Sequence, residues 1–259
     1  MTALRTALSA LLALAPLALG SPSRADDGAP LPTVAELTHR LDDLYRSSAS
    51  HGTMRMEVVT KRYSRSLEME AWTKGDDLGL VVIRAPAREA GNASLKTEDG
   101  LWSYGKRSDR LLRIPPGLLS ESWMGSHFTN DDLMRESSYE KDYDTTVARR
   151  TEDGRARLVL TMVPKPDTAI VYSRLEYVVD PDTLLPVRLD FFDKKSVVRR
   201  MFFEDVGDLG GRKVPKTLRL VPTDAPDEHT IVTYVDMTFD AKVPAGTFTP
   251  QGLRRATER

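Results

Sequence analysis

Residues 172–193 read Tyr172-Ser173-Arg174-Leu175-Glu176-Tyr177-Val178-Val179-Asp180-Pro181-Asp182-Thr183-Leu184-Leu185-Pro186-Val187-Arg188-Leu189-Asp190-Phe191-Phe192-Asp193. Two runs rich in β-branched and aromatic residues flank an Asp-Pro-Asp-Thr turn, which predicts strand, tight turn, strand. The phrase repeats through Val197–Val206, Lys213–Pro222 and Thr230–Asp240. Its turns carry Asp193-Lys194-Lys195-Ser196, Asp208-Leu209-Gly210-Gly211-Arg212 and Pro222-Thr223-Asp224-Ala225-Pro226-Asp227. Connections this short join antiparallel neighbours, because a parallel pair needs a crossover of about a dozen residues or more. The C-terminal half is therefore a β-meander. A long meander with few helices to cover it curls and encloses a cavity.

Upstream, Met54, Met56 and Val58 alternate with Arg55, Glu57 and Val59, and Leu67, Met69 and Ala71 with Glu68, Glu70 and Trp72. Such alternation marks half-buried antiparallel strands. Leu78–Ile83 is apolar on both faces, so it is covered on both. Ala93–Lys96 and Leu101–Tyr104 flank an Asp99-Gly100 turn, and Arg110–Ile114 is a short strand stopped by Pro115-Pro116-Gly117. Strands resume at Tyr143–Arg150 and Arg157–Val163, giving roughly eleven in all. Thr33-Val34-Ala35-Glu36 is a capping box, and Val34, Leu37, Leu41 and Leu44 continue a long N-terminal helix to about Arg46. Residues from Thr249 onward read as a short turn and a loose tail.

One stretch, Leu118–Arg135, breaks the meander with bulky apolar residues among turn formers: Leu118, Leu119, Trp123, Met124 and Phe128. Thr129 is placed to cap a short helix whose first turn holds Asp131 and Asp132.

At this point the chain resembles the outer-membrane lipoprotein-sorting protein family, the LolA-like periplasmic carriers. Three stretches carry the resemblance. Residues 123–133, Trp-Met-Gly-Ser-His-Phe-Thr-Asn-Asp-Asp-Leu, are similar to a Gly-Ser-Asp-Phe-x-x-x-Asp-Leu signature, with His127 where an acid is usual. Residues 179–188 are similar to an Asp-x-x-x-x-x-Pro turn, and Gly210-Gly211-Arg212-Lys213-Val214-Pro215 to a Gly-x-x-x-Pro turn. The resemblance implies a mainly β fold: an unclosed antiparallel β-barrel of about eleven strands with helices as a lid around a hydrophobic cavity. It implies a carrier that shields acyl chains of a lipoprotein or other lipid. The expected ligand-binding residues are Trp102, Tyr104, Leu112, Leu118, Trp123, Met124, Phe128, Phe191 and Phe202. Gly117 and Gly125 are candidate lid hinges.

Arg5, an apolar run from Ala7 to Leu19 and Ser23-Arg24-Ala25 form a secretory signal, with a cut after Ala25. The expected organisation is thus a signal peptide over 1–25 and a single domain over 26–259, exported to a Gram-negative periplasm. The chain holds no cysteine, which removes disulfides, thiolate chemistry and the cysteine needed for a lipid anchor. Its formal charge of -1 comes from interleaved acids and bases, which argues against nucleic-acid binding. His39, His51, His127 and His229 form no zinc-binding His-Glu-x-x-His helix, and neither a Gly-x-Ser-x-Gly elbow nor a phosphate-binding glycine loop occurs. The expectation is a monomeric, non-enzymatic protein without cofactor or metal. The alternative is a lipid- or lipoprotein-sensing module working with an inner-membrane transporter, with an exposed sheet edge or a basic strip such as Arg107–Arg113 or Lys194–Arg200 to dock a transporter or membrane.

Overall fold

The computed structural model describes residues 30–134, 139–166, 168, 170–244 and 246–258. The expected signal peptide lies outside the described residues. Leu31–Arg259 forms one compact unit.

The unit is a single antiparallel sheet of thirteen strands rather than about eleven. The strands are β1 (Ala49–Val59), β2 (Ser64–Lys74), β3 (Leu78–Ala85), β4 (Ala93–Thr97), β5 (Gly100–Gly105), β6 (Arg110–Arg113), β7 (Tyr143–Glu152), β8 (Arg155–Pro164), β9 (Arg174–Val179), β10 (Pro186–Asp193), β11 (Ser196–Leu209), β12 (Arg212–Pro222) and β13 (His229–Phe239). The helices are α1 (Val34–Asp42), α2 (Asn130–Met134), α3 (Tyr139–Asp142) and α4 (Pro250–Thr257).

Spatial order is β6-β5-β4-β3-β2-β1-β13-β12-β11-β10-β9-β8-β7. Every neighbour pair is consecutive in sequence except β1–β13, which zips the two halves together from Ser50↔Phe239 to Val59↔His229. The sheet does not close, so β6 and β7 are free edges. The chain between β6 and β7 must therefore travel from one free edge to the other. Topology alone lays it across the open side.

Tight turns fix the register. Asp180 Oδ1 accepts from the backbone N–H groups of Asp182 and Thr183 and from the Thr183 hydroxyl, closing the turn between β9 and β10. Between β11 and β12, Gly210 has φ +58° and a Cβ there would meet the Met237 carbonyl oxygen at 2.2 Å, so only glycine fits.

Two helical expectations change. α1 ends at Asp42 instead of continuing to Arg46; the N–H of Asp43 closes the last turn, and the chain bends away so that buried Arg46 bonds the carbonyl oxygens of Gly75 and Asp76. The tail is no loose end: Thr249 caps α4, accepting from the N–H of Gly252, and Pro250 opens it. Leu253 of α4 is completely buried. Gly252 lets the helix lie against the preceding turn, for a Cβ would stand 2.0 Å from the Gly246 carbonyl oxygen.

α4 explains why β3 is apolar on both faces. The rows Trp72–Leu80–Leu95–Trp102 and Val82–Ala93–Tyr104–Leu111 run side by side across β2–β6 on one face of the sheet. With Leu253, Phe248 and Ala256 they make a small separate core. The intervening row, Ala71–Val81–Ser94–Ser103–Leu112, faces the other way, toward the main core. Those two directions are called outer and inner below.

Candidate binding cavity

The inner side encloses a cavity of about 220 Å³. Its walls come from nearly the whole sheet: Met54 of β1, Met69 and Ala71 of β2, Val81 of β3, Leu175 and Tyr177 of β9, Phe191 of β10, Met201 of β11, Leu218 of β12, and Val232 and Tyr234 of β13. The strand alternation selects them. On β9, Leu175 and Tyr177 turn inward while Arg174 and Glu176 point to the opposite face; Leu189 and Phe191 do the same against Arg188 and Asp190, which pair with each other. Trp123, Phe128, Leu133, Tyr139 and Tyr143 close the open side.

The segment crossing the opening is latched by polar contacts. Trp123 Nε1–H donates to Ser94 Oγ at 2.9 Å, on the inner row of β4. The Tyr63 hydroxyl donates to the Gly125 carbonyl, and the Arg65 guanidinium to that of Met124. His127 bonds Thr230 on β13 through its backbone N–H (3.0 Å) and Nδ1 (2.8 Å), and Nε2 lies 3.3 Å from a Glu228 carboxylate oxygen. α2 begins with a reciprocal cap between Thr129 and Asp132. The Asp132 carboxylate in turn takes a two-pronged salt bridge from Arg199, whose guanidinium lies over the rings of Tyr172 and Phe191.

The wall is more aromatic and more polar than an oily pocket of aliphatic residues. Six of the eight tyrosines line it, with Trp123, Phe128 and Phe191. Tyrosine hydroxyls are spent inside the wall: Tyr45 donates to the Pro215 carbonyl at 2.7 Å, and the hydroxyls of Tyr139 and Tyr177 lie 2.7 Å apart. Burial pushes the Tyr177 hydroxyl well above its ordinary pKa, with Tyr139 and Asp42 adding to the shift. Burial does the same to Tyr172. Both stay neutral at physiological pH, so the rings present apolar area. Arg46, Ser50 and Thr73 make a polar corner, where Ser50 Oγ and Thr73 Oγ1 are 2.7 Å apart. At the end of α1, burial and then nearby Asp76 raise the Asp42 pKa to about 7 against the pull of Arg46. Its Oδ1 is buried without a hydrogen-bond partner.

The nine expected binding residues separate into groups. Trp123, Phe128 and Phe191 line the cavity together. Met124 packs against the main core beside the cavity, at φ +49°. The other five lie elsewhere. Trp102 and Tyr104 share one strand face, as expected, but it is the outer face under α4. Phe202 points outward between Arg188 and Arg219 and lies under the Arg219 guanidinium, while Met201 beside it turns inward. Leu112 and Leu118 are exposed. The missed residues were visible in part: charged residues alternating with Leu175, Tyr177, Leu189 and Leu218 mark those strands' inner faces. Nothing local marked Trp102 as outward, since its cover arrives from residues 248–256.

Among the described residues, no group of three or more His, Asp or Glu side chains is placed to hold a metal ion. No described helix is long and apolar enough to cross a membrane.

A family model described as an uncharacterized-protein-like family matches residues 75–255, and the chain belongs to that family. No curated protein matches it. Among solved structures, a DUF1329 family protein from Desulfovibrio piger superposes with a TM-score of 0.73 at 23% identity, covering 84% of this chain and 96% of the other. An outer membrane lipoprotein-sorting protein domain from Vibrio parahaemolyticus gives 0.71 at 20% identity over 85% and 97%. A LolA superfamily protein from Nitrosomonas europaea gives 0.71 at 18% identity over 85% and 98%. The fold is the LolA-like fold that the sequence resemblance implied.

Proposed function

We propose that this chain, a family member with a LolA-like fold, is a periplasmic carrier that shelters acyl chains of a lipid or lipoprotein in its inner cavity and hands them on toward the outer membrane. The observation that carries the reading is the cavity itself, walled by most of the sheet and roofed by the segment between two free edges. An acyl chain gains about 0.8 kcal/mol per methylene on leaving water, so a sixteen-carbon chain has on the order of 10 kcal/mol of gross transfer energy to be matched. Nine aromatic side chains and the thioethers of Met54, Met69, Met201 and Met237 offer flat and adaptable surface for that purpose.

The volume limits what fits beneath the roof as it stands. At about 220 Å³ the cavity exceeds the ~150 Å³ apolar void that takes up one benzene, yet a pocket for a whole drug-sized ligand runs from about 300 Å³ upward. A long acyl chain therefore requires the Trp123–Leu133 segment to lift. Its latches are hydrogen bonds worth on the order of 1 kcal/mol each and a buried ion pair whose loss costs about 3 kcal/mol, a sum that cargo burial has to offset. In this reading the segment is a lid that roofs the site between deliveries, and the LolA-like fold supports it. The non-enzymatic assignment belongs to the same proposal.

Lipid extraction from natively purified protein, followed by mass spectrometry, tests the reading. A retained acyl lipid, displaced by a fluorescent fatty acid probe, is the expected result. A protein that carries no lipid and takes up no such probe overturns it.

A further inference from the structure

The sequence offers two basic strips, and the structure treats them differently. In Lys194–Arg200, Arg199 is buried against Asp132 and Arg200 reaches Asp190 at 3.3 Å. In Lys106–Arg113 the cations Lys106, Arg107, Arg110 and Arg113 are all exposed. The one acid among them, Asp109, is held by Arg254 and the Tyr104 hydroxyl, both at 2.9 Å. This concentration of positive charge stands out in a chain with 37 basic and 38 acidic residues.

An apolar run follows immediately. Leu111-Leu112-Arg113-Ile114-Pro115-Pro116-Gly117-Leu118-Leu119 carries one charged side chain, and none of the nine residues is buried. Leu112 is 61% exposed and Leu118 46%. Leu112 ends the inner row Ala71–Val81–Ser94–Ser103 at the free edge of the sheet, where its side chain is exposed. The run then leads into the segment that roofs the cavity.

We propose that Lys106–Leu119 docks on an anionic lipid bilayer, with the leucines entering the headgroup boundary and the arginines and lysine pairing with lipid phosphates. Cations bordering exposed leucines are the composition that anionic interfaces select. A protein strand added to this edge fits poorly: β6 has only four residues, and Pro115 and Pro116 supply no N–H to extend a ladder. Docking here puts the bilayer beside the cavity roof. This surface can dock on a bilayer whatever the cavity holds.

Vesicle flotation of the purified protein tests it, using phosphatidylcholine vesicles with and without phosphatidylglycerol. The protein is expected to float with the anionic vesicles and to stay behind with pure phosphatidylcholine. Arg110→Gln and Arg113→Gln should each weaken binding by roughly fivefold. The double variant Leu112→Ser with Leu118→Ser should weaken it by roughly tenfold or more at unchanged melting temperature, since neither side chain is buried in the fold. No binding to anionic vesicles overturns the proposal. So does binding that the leucine and arginine variants leave intact, and so does recruitment only to native membranes containing protein, which identifies a protein receptor instead.

Discussion

The two faces of strands β2–β5 meet different covers and reach different ends. On the outer face, an eight-residue helix and the turn before it seal Trp72, Leu80, Leu95 and Tyr104 into a closed core. On the inner face, a loop with short helical turns roofs Ala71 and Val81 and leaves a void. Both covers bring bulky apolar residues. They differ in approach: α4 buries Leu253 completely against the sheet, whereas the roof is pinned by hydrogen bonds from Trp123 and His127 and by the Asp132–Arg199 pair. Tight apolar contact makes a structural core; a polar latch over a gap is the arrangement the proposed lid requires.

Removing Leu253 attacks the sealed face directly. Leu253→Ala should cost about 3 kcal/mol in a denaturant titration, while retention of a fatty acid probe under native conditions stays near wild type. A comparable loss of retention would show that the two faces are not independent.

A paired substitution sharpens the contrast. Ala93→Leu on the sealed outer row should cost about 2 kcal/mol through overpacking. Ala71→Leu on the inner row has a void to enter, so stability should change by less than about 1 kcal/mol and probe binding should fall at least about tenfold. Equal stability losses at the two positions would deny that the inner face is hollow.

The end of α1 gives a pH signature. Below about pH 4 the Asp42 carboxyl is protonated in folded and unfolded chain alike and costs nothing. Between there and pH 7 the unfolded chain ionises first, so this group lowers stability as pH rises, and the cost is fully present above pH 7. Asp42→Asn should flatten that decline and raise stability at pH 8 by on the order of 1.5 kcal/mol, discounted for partial exposure, in melts across pH 4–8. An unchanged profile would place the carboxyl in water.

The smallest effect belongs to the latch. Trp123→Phe removes one donor and leaves Ser94 Oγ beneath the roof without its indole partner. The expected stability loss is about 1 kcal/mol, with faster probe uptake in stopped flow. Slower uptake would contradict a roof that opens at this contact.

Much of this was legible in the chain. The Asp-Pro-Asp-Thr turn, the Gly210-Gly211 pair and the alternation of Leu175, Tyr177 and Leu189 with charged neighbours determined antiparallel strands, their neighbours within each half of the sheet and part of the inner face. Turn chemistry and side-chain period are local, and local physics is written in consecutive residues. The break at Leu118–Arg135 was equally visible, and with it Trp123 and Phe128.

Which way Trp102, Tyr104 and Phe202 point was settled only by assembly. A strand apolar on both faces has no internal sign of which side is the cavity; α4, more than 140 residues beyond Trp102, supplied it. The tyrosine wall arose likewise, because Tyr45, Tyr139, Tyr177 and Tyr234 are far apart in the chain and meet only when β1 pairs with β13 and the roof crosses the gap. Periodicity tells a residue's neighbours along its own strand. Whether the space in front of it is filled or empty depends on segments that arrive from elsewhere, and that is a property of the folded whole.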